Sequence, residues 1–100
     1  MITVSAQQPA PYIHADNRGL VLCNGSQCVF VPGSQLRSCA ETFGIIAEEG
    51  RATRSQAQHV VGGYKEGGEV VIYAGTQDGL LSVSVSEAAF NSIREAIGAR

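Results

Sequence analysis

The stretch that most limits what this chain can become is LLSVSVS, residues 80–86. Leu81, Val83 and Val85 fall on one side of an extended chain, and Ser82, Ser84 and Ser86 on the other. Successive side chains of a strand point to opposite faces, so this two-residue period predicts a half-buried strand with a small, uncharged outer face. Its surroundings agree. Val70, Val71, Ile72 and Tyr73 form a β-branched and aromatic run that suits a pleated surface. Asp78-Gly79 between the two runs is a hairpin signal, because glycine accepts positive φ without steric cost. After the second run, Ser86 can cap a helix and Glu87 lies where a helix N-terminus favours negative charge. Ala89, Phe90, Ile93, Ala96 and Ile97 then recur at helical spacing, and Gly98 is a natural stop. Residues 69–97 therefore read as strand, turn, strand, helix.

The first half of the chain carries weaker signals of the same kind. Ile2–Val4 reads as a short edge strand, within an arm at residues 1–18 that is otherwise irregular because of Pro9, Pro11, Asp16 and Asn17. GLVLCNGSQCVFV, residues 19–31, places two apolar runs around Asn24-Gly25 and predicts a hairpin that Pro32-Gly33 ends. Asn24-Gly25-Ser26 also matches a glycosylation acceptor, a short pattern common by chance and set aside here. Ser34 is the expected cap of a helix with Leu36, Cys39, Ala40 and Phe43 on its apolar stripe; a short helix ending at Gly44, its apolar tail packed inward, is the preferred reading, and extension through Ile45, Ile46 and Ala47 to Gly50 the alternative. GRATRS, residues 50–55, reads as a polar loop. Residues 56–65 suit either a helix or a strand, and Gly62-Gly63 favours the strand. The expected architecture is α+β. An irregular arm at 1–18 precedes a single domain at 19–100, in which an antiparallel sheet of about four to five strands carries two helices on one face.

One hundred residues suffice for one modest core. A formal net charge of −2 gives no general pull toward nucleic acid or anionic membrane. No apolar run is long enough to span a bilayer, and the N-terminal residues lack the basic and apolar segments of a secretory leader. With three cysteines, an odd number, the chain reads as cytoplasmic with reduced thiols.

The side chains that carry chemistry are few and badly spaced for it. Cys23 and Cys28 bracket the predicted hairpin turn and would sit opposite each other. Together with Cys39 and His14 or His59 they depart from zinc-site spacing, so no metal is expected. Cys39 on an apolar stripe would be buried, not activated. No Gly-x-Ser-x-Gly elbow is present, Glu48-Glu49 point apart, and no glycine cluster matches a phosphate or dinucleotide loop. No catalytic, cofactor-binding or metal-binding residue is therefore assigned, and no enzyme is expected.

The reading that remains is a small non-catalytic protein-binding module, an inhibitor or adaptor that occupies a surface of a larger protein. Small inhibitors of phages and other mobile elements share this size. The expected contact residues are Tyr64, Tyr73, Arg51 and Arg54, because tyrosine and arginine dominate interface energetics. The alternative is a single-stranded nucleic-acid-binding homodimer that stacks bases on Tyr64 and Tyr73. Its weakness is that the basic residues are scattered, with Arg51 and Arg54 the only local pair.

Overall fold

The computed structural model describes residues 11–16, 18–56, 59–76 and 78–98. Three strands come first: β1 (Tyr12–Asp16), β2 (Gly19–Asn24) and β3 (Gln27–Pro32). A single 3-10 turn, Gly33–Gln35, leads into helix α1 (Leu36–Glu49). Four strands follow: β4 (Arg51–Gln56), β5 (His59–Glu66), β6 (Glu69–Thr76) and β7 (Gly79–Ser86), then helix α2 (Glu87–Gly98). Every strand pair is antiparallel, and the strands form two sheets ordered β1-β2-β3 and β4-β5-β6-β7. The plan is a meander and a helix, then a meander and a helix again. The repetition is one of topology and leaves no trace as repeated sequence.

The α+β class and the two helices match expectation, but the single sheet does not. Pro32 ends β3 and the chain turns at once into α1, so the first three strands have only one another to pair with. The two sheets meet through side chains. The Asn24 side chain donates Nδ2–H to the Ser82 carbonyl at 3.0 Å, joining the tip of the β2–β3 hairpin to β7. Leu20, Leu22 and Val31 of the small sheet share one core with Val61, Val70, Ile72, Ala74, Leu81 and Val83 of the large one.

Both helices close that core. Helix α1 lies on β4 and β5, whereas α2 touches β1, β6 and β7 and packs beside α1. Phe43 and Phe90 meet between the helices, with ring centroids 5.6 Å apart and planes tilted by 50°. The start of α2 is fixed by Ser86, whose Oγ accepts the Ala89 N–H at 3.1 Å. Phe90, Ile93 and Ile97 are its buried stripe, each contributing about 1.5–3 kcal/mol on leaving water.

Helix α1 does not stop at Gly44, the preferred end, but follows the longer alternative to Gly50. Its buried stripe runs Leu36, Cys39, Phe43 and on to Ile46. A mid-helix glycine costs about 1 kcal/mol, less than burying Ile46 returns. The helix ends at Gly50, which adopts φ 92° and donates its N–H to the Ile46 carbonyl at 2.9 Å. Ser34 lies in the preceding 3-10 turn, and no side chain caps α1.

Two further expectations fail for one physical reason. Residues 51–56 form a strand, not a polar loop, and residues 12–16 of the arm form β1. Both are edge strands, recruited by an apolar neighbour, so their own sequence shows little β pattern. The expected strand at residues 2–4 lies outside the described residues. Residues 59–66 are a strand, as the glycine pair suggested.

Candidate partner-binding face

The register of the large sheet sorts its side chains into two faces. Val61, Val70, Ile72, Ala74, Leu81 and Val83 face the helices and are buried. The opposite face is built in cross-strand rows. One row runs Arg51, Tyr64, Val71, Ser84, and the next runs Thr53, Gly62, Tyr73, Ser82. Tyr64 and Tyr73 are thus diagonal neighbours on adjacent strands, within reach of each other's rings. The serines of β7 fall on this outer face, as their alternation predicted.

Gly62 shapes the site. The Tyr73 ring lies across it: a β-carbon placed on Gly62 would come within 2.7 Å of Tyr73 Cζ and the hydroxyl oxygen. The ring therefore fills the gap in β5 and leans toward β4. The result is a groove of about 660 Å³ walled by Arg51, Thr53, Tyr64 and Tyr73. Tyr64 is 39% exposed, less than Tyr12 and Phe30 of the small sheet. Arg51 sits directly across from Tyr64 and has no ion-pair partner among the described residues. Thr53 and Gly62 were not singled out from the sequence. The glycine pair inside a β run was the available signal.

Arg54 does not join this face. Residues three apart on a strand point to opposite sides, so Arg51 and Arg54 separate. Arg54 Nη1 donates to Glu41 Oε1 at 2.7 Å and to Ser38 Oγ at 3.2 Å, both on α1. Lys65 is likewise engaged on the helix side, donating to the Ala47 carbonyl at 3.0 Å near the end of α1, with Glu87 Oε1 at 3.8 Å. The outer face carries Glu66 and Glu69, paired across the β5–β6 turn, and Glu69 Oε1 accepts the Ser84 hydroxyl at 2.7 Å.

The remaining reactive groups lie elsewhere. Cys23 and Cys28 are register partners in the β2–β3 hairpin and are joined as a disulfide, which corrects the expectation of three reduced thiols. The two-residue Gly25-Ser26 turn makes theirs the second pair from the tip, where side chains approach most closely. Asn24, in the glycosylation-like triplet, spends its amide on β7. Cys39 is free and buried in the core, and burial pushes its thiol up to about 11. Below pH 9 that thiol is protonated in the folded and unfolded chains alike, so its burial counts in full. Between pH 9 and about 11 the unfolded chain alone releases the proton, and this part of the stability is lost. Thermal unfolding followed across that window should show a steeper fall for the wild type than for Cys39→Ala.

His14 is on β1 beside Asp16, at 3.3 Å, with Arg18 Nη2 on the same carboxylate at 3.7 Å. The Arg18 backbone N–H, ahead of the His14 hydrogen bond, holds the Asp16 carboxyl below its usual range. Neither histidine is hydrogen-bonded to a serine or cysteine among the described residues, and no group of three or more metal-ligating side chains occurs among them. No helix among the described residues is long and apolar enough to cross a membrane. Compared with protein-family models, with curated proteins and with solved structures, the chain matches none of them.

Proposed function

We propose that this chain is a non-catalytic protein-binding module, an inhibitor or adaptor, and that it engages a larger protein through the outer face of the β4–β7 sheet. The observation that carries this reading is the convergence on one groove of Tyr64, Tyr73 and Arg51, which has no ion-pair partner among the described residues. Two rigid aromatic anchors beside a guanidinium are the composition of an interface hot spot. Arg54 is dropped from the contact set because α1 holds it on the other side of the sheet.

The nucleic-acid reading draws on the same two tyrosines, which offer a stacking surface. Charge disfavours it. A strand of phosphates needs a basic track, and this face offers Arg51 against Glu66 and Glu69.

Affinity capture from lysate of the source cells, with the wild type beside a Tyr64→Ala/Tyr73→Ala variant, tests the proposal. The expected result is one stoichiometric protein that survives nuclease and moderate salt on the wild type and is lost on the variant. Retention on the variant removes this face from consideration. Loss of everything on nuclease treatment replaces the proposal with the nucleic-acid reading.

A further inference from the structure

Strand β4 is one edge of the large sheet and pairs only with β5. The register tells which of its backbone groups face away from β5. The Lys65 N–H donates to the Gly50 carbonyl at 2.8 Å, so these two residues are a hydrogen-bonded pair of the ladder. Bonded and non-bonded pairs alternate between antiparallel strands, so Ala52 bonds Gly63 and Arg54 bonds Val61. Arg51, Thr53 and Ser55 fall between them and turn their N–H and C=O groups to the free edge. Among the described residues no other backbone group bonds to these three. Their side chains are exposed and share the outer face with Tyr64, so the edge and the groove adjoin. The edge is also unguarded. Pairing runs unbroken from Arg51 to Gln56, without a bulge, and the strand holds neither proline nor lysine. Its inward-facing charge, Arg54, is matched by Glu41. The opposite edge, β7, is met by the Asn24 side chain at the Ser82 carbonyl.

We infer, on the basis of the protein-binding reading, that the partner presents an extended segment that adds to β4 as an antiparallel strand and carries an apolar residue two positions before an acidic one. An antiparallel guest exchanges two hydrogen bonds with each of Arg51, Thr53 and Ser55, which answers every outward group of the edge. The guest residue opposite Arg51 extends the row Arg51, Tyr64, Val71, Ser84. A carboxylate there meets a guanidinium that has no ion-pair partner among the described residues. The guest residue opposite Thr53 extends the row Thr53, Gly62, Tyr73. Gly62 leaves a gap in that row, and the Tyr73 ring already leans across it. A large apolar side chain therefore lies over Thr53 toward the ring and closes the groove from its open side. Because the guest runs opposite to β4, the residue at Thr53 precedes the residue at Arg51. The residue between them turns to the helix side, beside Ala52.

Peptides selected from a displayed random library on the full chain, then made synthetically and titrated by fluorescence anisotropy, test this. The enriched sequences are expected to share the apolar and acidic residues in that order and spacing. Thr53→Pro removes one outward N–H, breaks no bond to β5, and suits an edge strand; circular dichroism checks its fold. It is expected to weaken peptide binding about tenfold, while Thr53→Ala stays near the wild type. A charge swap reads the register independently: Arg51→Glu should lose the acidic peptides and regain those whose acidic residue is replaced by lysine. Absence of any enriched peptide, equal binding to Thr53→Pro and the wild type, or enriched peptides without the acidic residue would overturn the inference. A wild-type dimer that Thr53→Pro converts to monomer, seen by sedimentation, would give the edge to a second copy and overturn it too. None of these results touches the face itself, which stands or falls with the Tyr64→Ala/Tyr73→Ala capture.

Discussion

Phe90→Ala is expected to destabilise the chain by about 3–5 kcal/mol, the largest effect of any single truncation considered. Phe90 is 2% exposed and stands where α1 and α2 touch, against the ring of Phe43. Its removal takes away the transfer free energy of an aromatic side chain and leaves a cavity that two helices cannot both close on. Arg94 adds a smaller contribution from above the ring, with its guanidinium carbon 6.0 Å from the centroid. Urea denaturation of the wild type and the variant measures the loss. A change of less than about 1 kcal/mol would mean that α2 is not docked as described, since core Phe truncations do not cost so little.

Gly63→Ala is expected to cost about 1–3 kcal/mol, although alanine is no worse than glycine in a strand. The cause is space. A β-carbon at Gly63 would lie 2.5 Å from the Val71 carbonyl oxygen and 3.1 Å from Ile46 Cδ1. The first is backbone of β6 and cannot move without disturbing the ladder. The second is the buried end of the α1 stripe. The glycine thus sets how closely α1 approaches β5. Gly44→Ala is the matching control, because the nearest atom to its added carbon is Arg94 Nη2 at 3.9 Å. There the sign reverses, and a gain of about 0.5–1 kcal/mol is expected from helix propensity. Two alanine substitutions of opposite sign, measured in one denaturation series, separate close approach from propensity.

These two predictions also show where sequence and structure part. The last third was legible because pattern and environment agree there: β7 alternates since one face meets the core and the other meets water, and Ser86 does cap α2. Asn24-Gly25 announced its hairpin because Gly25 takes φ 67° at the turn. Elsewhere the decisive force is not local. Helix α1 passes through Gly44 because Ile46 finds a core that the sequence alone does not display. Strand β4 is polar because one side faces solvent and its edge is free, so only its neighbour β5 makes it a strand. The two sheets look like one in sequence, because nothing in a strand names its partner.

The candidate site was half legible on the same grounds. Tyr64 and Tyr73 fall on adjacent strands, and their shared face follows once the register is known. Arg51 and Arg54 look like a pair only if residues 50–55 are a loop. In a strand, their spacing divides them between a groove and a helix. The disulfide follows the same rule: a spacing that is merely suggestive becomes a bond once the turn is known to have two residues.

The central claim, that the outer face of the large sheet is where a protein partner sits, is most directly tested by tyrosine-selective footprinting of the captured complex. The chain has three tyrosines, and the third, Tyr12, is 48% exposed on β1 in the other sheet. It serves as an internal control. Tyr64 and Tyr73 should react in the free protein and be protected in the complex, with Tyr12 reactive in both. Protection of Tyr12 with Tyr64 and Tyr73 still reactive in the complex would contradict the account and move the interface to the three-stranded sheet.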